Sequence, residues 1–189
     1  PVLFNVLPAM AVKLDVRDSD GSPTTARLEF RDTAGRVYPP QAKRLAPDFF
    51  FQPHIYRAHE QSVMLPPGRF TMEFSRGPEY IVRKREIEVR SGGNVEIPVR
   101  LERWVNPARF GFYCGDHHIH GAGCSHYDSP TEGVTPIDMF QQVKGEGLNV
   151  GCVLTWGPCF DFQRNYFSPG RSEERRVGKE CRSRLSPYH

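Results

Sequence analysis

No run of eighteen apolar residues occurs in the 189-residue chain, so nothing in it reads as a membrane span. Cysteine is sparse: the five residues form no Cys-x-x-Cys pair and no small disulfide framework, which leaves the redox compartment open. The last nineteen residues, Arg171 to His189, lack an apolar period of either helix or strand type and do not read as part of a packed fold. Of the chain's 25 basic and 22 acidic side chains, six and three lie in that tail, which leaves 19 of each in residues 1–170. An excess of positive charge is therefore absent from the body of the chain, and no nucleic-acid partner is expected. Methionine is missing from the first position, so the natural N-terminus is expected upstream of Pro1.

The tail resembles the translation of a short-read sequencing adapter, in which Arg171-Ser172-Glu173-Glu174 corresponds to AGA TCG GAA GAG. One departure is Leu185, where the adapter frame gives Trp. The expected organisation is thus multidomain: a β-sandwich over 1–105, a truncated second domain over 106–170 and an artefactual tail over 171–189.

What is present in the first hundred residues is a period of two. Val12, Leu14 and Val16 alternate with Lys13, Asp15 and Arg17, and Ala26, Leu28 and Phe30 alternate with Arg27, Glu29 and Arg31. Asp18-Ser-Asp-Gly21, Asp32-Thr-Ala-Gly35 and Ser91-Gly-Gly93 supply turns. Further strands are read at Phe70-Met72-Phe74, Ile87-Val89 and Val95 to Leu101, after a less regular aromatic stretch from Tyr38 to Tyr56. About seven short half-buried strands predict an antiparallel sandwich. His54 and His59 are isolated and read as surface or packing residues, and Phe49-Phe50-Phe51 as core or domain interface. Asp18-x-Asp-Gly-x-Pro23 and Leu65-Pro-Pro-Gly-x-Phe70 resemble the transthyretin-like or carboxypeptidase-regulatory-like sandwich modules, which accompany other domains as spacers or binding platforms.

Four of the seven histidines fall inside ten residues, in Gly115-Asp116-His117-His118-Ile119-His120-Gly121-Ala122-Gly123-Cys124-Ser125-His126. In an extended strand alternate side chains share a face, so Asp116, His118 and His120 point one way and His117 the other. His126 follows six residues later, across glycines that let the backbone turn back. Such a spacing is a candidate metal nest; the alternative is a surface loop or histidines bonded to backbone carbonyls. Cys124 lies nearby, more in keeping with a small packing residue than with a ligand. Phe110-Gly-Phe-Tyr-Cys114 ahead of the cluster reads as a buried strand.

After the histidines, Thr135 reads as a helix cap, Pro136 as the first helical residue, and Asp138 as the carboxylate that reaches back. Ile137, Phe140 and Val143 form an apolar stripe, Gly145 and Gly147 end the helix, and Leu148 to Thr155 reads as a second buried strand. This strand, helix, strand unit predicts two parallel strands side by side.

From Phe110 to Phe167 the pattern resembles the first repeat of the polymerase-and-histidinol-phosphatase (PHP) type metallohydrolases, in their CehA/McbA branch, with Asp116-His117-His118-Ile119-His120 as its specific part. The resemblance implies the first βαβ unit of a truncated β/α barrel whose site lies at the carboxyl ends of the strands. It implies metal ligation by His118 and His120, an adjacent metal at His126, and two or three Zn, Mn or Fe ions in the intact parent. Asp116 would orient a ligand imidazole or bind directly, as the catalytic carboxylate. The implied activity is metal-dependent hydrolysis of a small-molecule ester, phosphoester, amide or carbamate, the piece itself being inactive. The alternative is a non-catalytic surface protein whose sandwich binds a glycan or protein. Domain analogy favours export or the periplasm. Two departures stand out: Thr155-Trp156-Gly157 replaces the Thr-Asp-His that ends the next strand in many members, and His117 replaces an apolar residue.

Overall fold

The computed structural model of the chain describes residues 8–92, 95–122, 134–153 and 158–164. Eight strands come first: β1 (Met10–Arg17), β2 (Thr25–Asp32), β3 (Val37–Tyr38), β4 (Ile55–Ala58), β5 (Ser62–Leu65), β6 (Gly68–Ser75), β7 (Arg83–Val89) and β8 (Val95–Arg100). They form a three-stranded sheet in the order β5-β1-β8 and a five-stranded sheet in the order β3-β2-β6-β7, in which β4 also pairs with β2. Strands β3 and β4 share one edge of β2, taking Phe30–Arg31 and Thr25–Leu28 respectively.

The two-residue period sets which side chains meet between the sheets. Val12, Leu14 and Val16 from the first sheet join Ala26, Leu28, Phe30, Phe70 and Met72 from the second in one buried cluster. Each large side chain removed from water in this way contributes about 1.5–3 kcal/mol, which is what makes the layer pair stable. The turn after β1 closes as the sequence predicts: Asp18 N donates to Ser22 O and Gly21 N to Asp18 O, both at 2.9 Å. Gly21 takes φ +85°, a conformation that favours glycine.

The sandwich departs from the expected all-antiparallel pairing at one place. β1 and β8 run parallel, from Val12 opposite Val95 to Arg17 opposite Arg100. Alternation fixes the face a strand buries but says nothing of its neighbour's direction, and the long excursion between β1 and β8 permits the crossover a parallel pair needs. Pro98 is tolerated because β8 lies at the sheet edge, where its missing N–H breaks no ladder.

The loop from Pro39 to His54 is organised around Arg44. Its guanidinium donates to the carbonyls of Pro39, Phe49, Gln52, Pro53 and His54, so one side chain gathers the segment. Burial lowers the Arg44 pKa below the usual guanidinium value. This scaffold turns Phe50 and Phe51 outward, 68% and 67% exposed, against the expected core or interface role. Aromatic composition alone did not reveal that the arginine would hold the loop from inside.

Beyond the sandwich come a 3₁₀ turn (Pro107–Phe110), β9 (Gly115–Ile119), helix α1 (Pro136–Gly145), β10 (Val150–Val153) and helix α2 (Pro158–Gln163). β9 and β10 pair in parallel, with Val150 opposite Gly115 and Val153 opposite Ile119, as the strand, helix, strand pattern predicts. The start of α1 also follows the sequence: the Thr135 hydroxyl accepts from Asp138 N at 3.3 Å and donates to the Asp138 carboxylate at 2.7 Å.

Two expectations fail in this region. Phe110-Gly-Phe-Tyr-Cys114 is no buried strand: Pro107 initiates a 3₁₀ turn, Gly111 ends it at φ +80°, and Phe110, Phe112 and Tyr113 are 68–77% exposed. In α1, Met139 and Val143 are buried while Ile137 is exposed, so the stripe runs at a spacing of four from Met139. The phase follows what the helix packs on. Val143 lies against Gly151 of β10, where an added Cβ would come 2.6 Å from its Cγ2.

The C-terminal end of α1 docks on the outside of the sandwich. Tyr56 alternates with core Ile55 on β4, faces α1 and is buried there. Its hydroxyl donates to Glu146 Oε1 at 2.5 Å, and Gln141 Nε2 donates to the Tyr56 carbonyl at 2.7 Å. Arg76 Nε donates to Lys144 O at 2.9 Å, adding a side-chain donor to a last-turn carbonyl that also accepts from Gly147 N at 3.1 Å. Backbones approach closely: a Cβ on Gly77, at φ +72°, would fall 1.8 Å from Glu146 O. This contact fixes the β9–α1–β10 unit against the sandwich.

Candidate metal centre

β9 starts where Cys114 meets Asn149. The Cys114 N–H donates to Asn149 Oδ1 at 3.1 Å, and the Cys114 carbonyl accepts from Asn149 N at 2.9 Å and Val150 N at 3.2 Å. Asn149 is a positioning residue that the sequence pattern did not single out; its signal was a side-chain acceptor placed between a glycine turn and an apolar strand. The Cys114 thiol turns inward to the Gly147 carbonyl at 3.4 Å.

From that anchor the strand carries Asp116, His117 and His118, with His120 one residue past its end. His118 Nε2 and His120 Nε2 stand 3.2 Å apart, with ring centroids 5.0 Å apart and planes inclined by 61°. The period of two therefore does bring these imidazoles together. Two bare nitrogen lone pairs repel at this separation, so either a proton or a cation lies between them. A tetrahedral zinc with bonds of about 2.0–2.1 Å holds its nitrogen ligands about 3.3–3.4 Å apart, slightly more than the 3.2 Å of this pair, a distance that an N–H···N hydrogen bond also gives.

The Asp116 carboxylate is directed first to its own strand: Oδ1 accepts the His118 N–H at 2.9 Å. This bond steadies the backbone that carries His118 and leaves Oδ2 for another partner. His117 is exposed, and its ring meets that of His118 edge to face at 6.4 Å between centroids. Among the described residues it packs against no buried side chain. His126, Cys124 and Thr155-Trp156-Gly157 lie outside the described residues, as does the tail 171–189. Among the described residues no group of three or more His, Cys, Asp or Glu side chains is assembled for a metal ion. The structure brings together a two-imidazole corner, and the third expected ligand falls where the chain is not described.

The two histidines of the sandwich serve other ends. His54 Nε2 lies 3.1 Å from the Tyr56 hydroxyl beside the α1 contact, and His59 Nδ1 lies 3.1 Å from Asp15 Oδ1. Burial, reinforced by nearby Arg27, lowers the His54 pKa below the usual imidazole value. Burial and the bond to Glu146 push the Tyr56 phenol well above the usual tyrosine range.

No protein-family profile matches the chain, and no curated protein matches it. Among solved structures, a similar chain is a candidate adhesin from Bacteroides ovatus ATCC 8483, with a TM-score of 0.29 and 14% identity. The likeness covers 52% of this chain and 45% of that one, so the chain matches under half the adhesin's length. Among the described residues no helix is long and apolar enough to cross a membrane.

Proposed function

We propose that the chain carries the first metal-binding strand of a metal-dependent hydrolase, acting on an ester, phosphoester, amide or carbamate bond of a small molecule. The observation that carries this reading is the 3.2 Å convergence of His118 Nε2 and His120 Nε2 at the carboxyl end of a parallel strand pair. In the resemblance to PHP-type enzymes this is the position of the first ligands, and their chemistry suits Zn, Mn or Fe. Such an ion supplies Lewis-acid activation of water and of the carbonyl or phosphoryl group.

The protein's own part is to hold nitrogen donors at fixed separation. His118 is set by the Asp116 bond to its backbone, and β9 is set by pairing with β10. Asp116 Oδ2 remains outside that backbone bond, and His126 is proposed for an adjacent ion. Two imidazoles alone make an incomplete site, because hydrolytic zinc centres use three protein ligands and keep a position open. Asp116 Oδ2 is proposed as the third ligand to the ion held by His118 and His120.

Two measurements test the reading. Zinc binding by the chain should require both histidines; a His118→Ala/His120→Ala double variant that binds zinc as before overturns it. Turnover of p-nitrophenyl acetate and bis(p-nitrophenyl) phosphate should be measured on the reading frame continued through source DNA beyond the Gly170 codon. Hydrolysis that needs both the metal and the two histidines supports the enzyme; a metal-loaded protein inert toward these and toward an aryl carbamate contradicts it.

A further inference from the structure

A cleft of about 350 Å³ lies between the β1–β2 turn and the segment that leads from β8 toward β9. It is lined by Asp18, Ser19 and Asp20 on one side and by Arg103, Trp104, Asn106 and Arg109 on the other, with Val105 between. This volume falls at the lower end of the range for small-ligand pockets.

Its lining divides into a frame and a set of uncommitted groups. Asp18 is fully engaged: Oδ1 accepts from Ser19 N, and Oδ2 accepts from Arg76 and from the Tyr80 hydroxyl at 2.6 and 2.8 Å. Arg103 is likewise held, by the Tyr80 hydroxyl and by Glu79. Trp104 is 65% exposed, yet its Nε1 donates to Pro78 O at 2.8 Å, so an indole ring is fixed in place. Arg109 is exposed and makes no side-chain hydrogen bond or ion pair with a described residue. The Asn106 amide also makes no such bond, and its Oδ1 is shut off from solvent. Rotating that amide toward the cleft therefore breaks no hydrogen bond. Asp20 spends one oxygen on the Ser22 N–H and hydroxyl.

We infer that this cleft is a saccharide-binding site, with Trp104 as the platform for one sugar ring and Asp20, Asn106 and Arg109 as partners for its hydroxyls. The charge balance selects the ligand class. A phosphate or other anion entering between Arg103 and Arg109 would meet Asp18 and Asp20, and a cation would meet the two guanidinium groups. A neutral ring with an apolar C–H face and many hydroxyls uses a flat indole together with both donors and acceptors. The inference stands apart from the metal reading, since no histidine of the candidate centre lines the cleft.

The test is calorimetric titration of the chain with the hexasaccharides of β-1,4-glucan, β-1,3-glucan, β-1,4-xylan, β-1,4-mannan and chitin. At least one should bind, and Trp104→Ala, with unchanged circular dichroism, should weaken that binding by at least about tenfold. Arg109→Ala, which removes an exposed side chain without a structural partner, should weaken it as well and decides the matter if Trp104→Ala fails to fold. The His118→Ala/His120→Ala variant should bind the sugar as the parent does. Absence of binding to all five hexasaccharides overturns the inference, as does equal binding by both cleft variants.

Discussion

Replacing Gly145 with alanine asks whether α1 is held on the sandwich as the structure describes. In an undocked helix the change should be neutral or stabilising by up to about 1 kcal/mol, because alanine is the better helix former. Here the new methyl would fall 2.3 Å from Tyr56 Cδ1 and 3.1 Å from Cε1. That ring has little room to retreat: it is 4% exposed, and its hydroxyl is tied to Glu146 and lies against His54 Nε2. Overpacking of this kind costs about 1–3 kcal/mol, so the net expectation is a loss of about 1–2 kcal/mol. The sign of the effect thus separates the two situations. Urea denaturation gives the global change, and hydrogen exchange of residues 136–145 should show faster opening by about tenfold in the variant. Adding Tyr56→Leu to Gly145→Ala should recover part of the loss, giving a coupling energy in a double-mutant cycle. An alanine variant as stable as the parent or more so, with unchanged exchange in α1, would refute the docking.

Other outcomes follow from the same contacts. Tyr56→Phe should destabilise by about 1–3 kcal/mol in urea, since Glu146 loses its phenol donor at a partly buried site; a change within error would mean that water replaces the bond freely. Because the folded pKa of His54 lies below 6.5, the unfolded chain takes up its proton first on acidification. Its contribution is complete above pH 6.5 and is lost as the pH falls through that value toward the lower folded pKa. The urea midpoint should therefore drop between pH 7.5 and 5.5, and His54→Gln should reduce that drop; an equal drop in both proteins would exclude His54 as a source. Arg44→Leu should open the Pro39–His54 loop to limited proteolysis and cost at least about 2 kcal/mol, as five carbonyls lose a charged donor. Unchanged cleavage would contradict the organising role given to that side chain.

The sandwich was legible because strand alternation is a local signal with a global consequence. Val12, Leu14 and Val16, read as one face, are all buried, and the Asp18–Gly21 turn forms the bonds its residue types favour. The cap of α1 was equally readable, since Thr135, Pro136 and Asp138 act through bonds made within one helical turn. What escaped were properties decided by distant partners. The parallel pairing of β1 with β8 depends on how the chain returns. The buried phase of α1 depends on Val143 meeting β10 and the helix end meeting Tyr56. Phe110, Phe112 and Tyr113 suggested burial by composition, whereas Pro107 and Gly111 impose a turn that leaves them facing water. Of the candidate centre, the sequence placed His118 and His120 on one face correctly, but it had no means of showing that Asp116 would spend an oxygen on the His118 backbone.

The paired imidazoles are the centre of the functional account, and metal stoichiometry addresses them most directly. The chain, equilibrated with zinc and then freed of unbound ions by gel filtration, should retain about one ion per chain by plasma mass spectrometry. His118→Ala/His120→Ala should reduce that retained zinc to background while circular dichroism stays the same. Equal zinc in the folded double variant, or none in the parent, would contradict the assignment and leave the 3.2 Å contact as a proton-bridged pair of surface histidines.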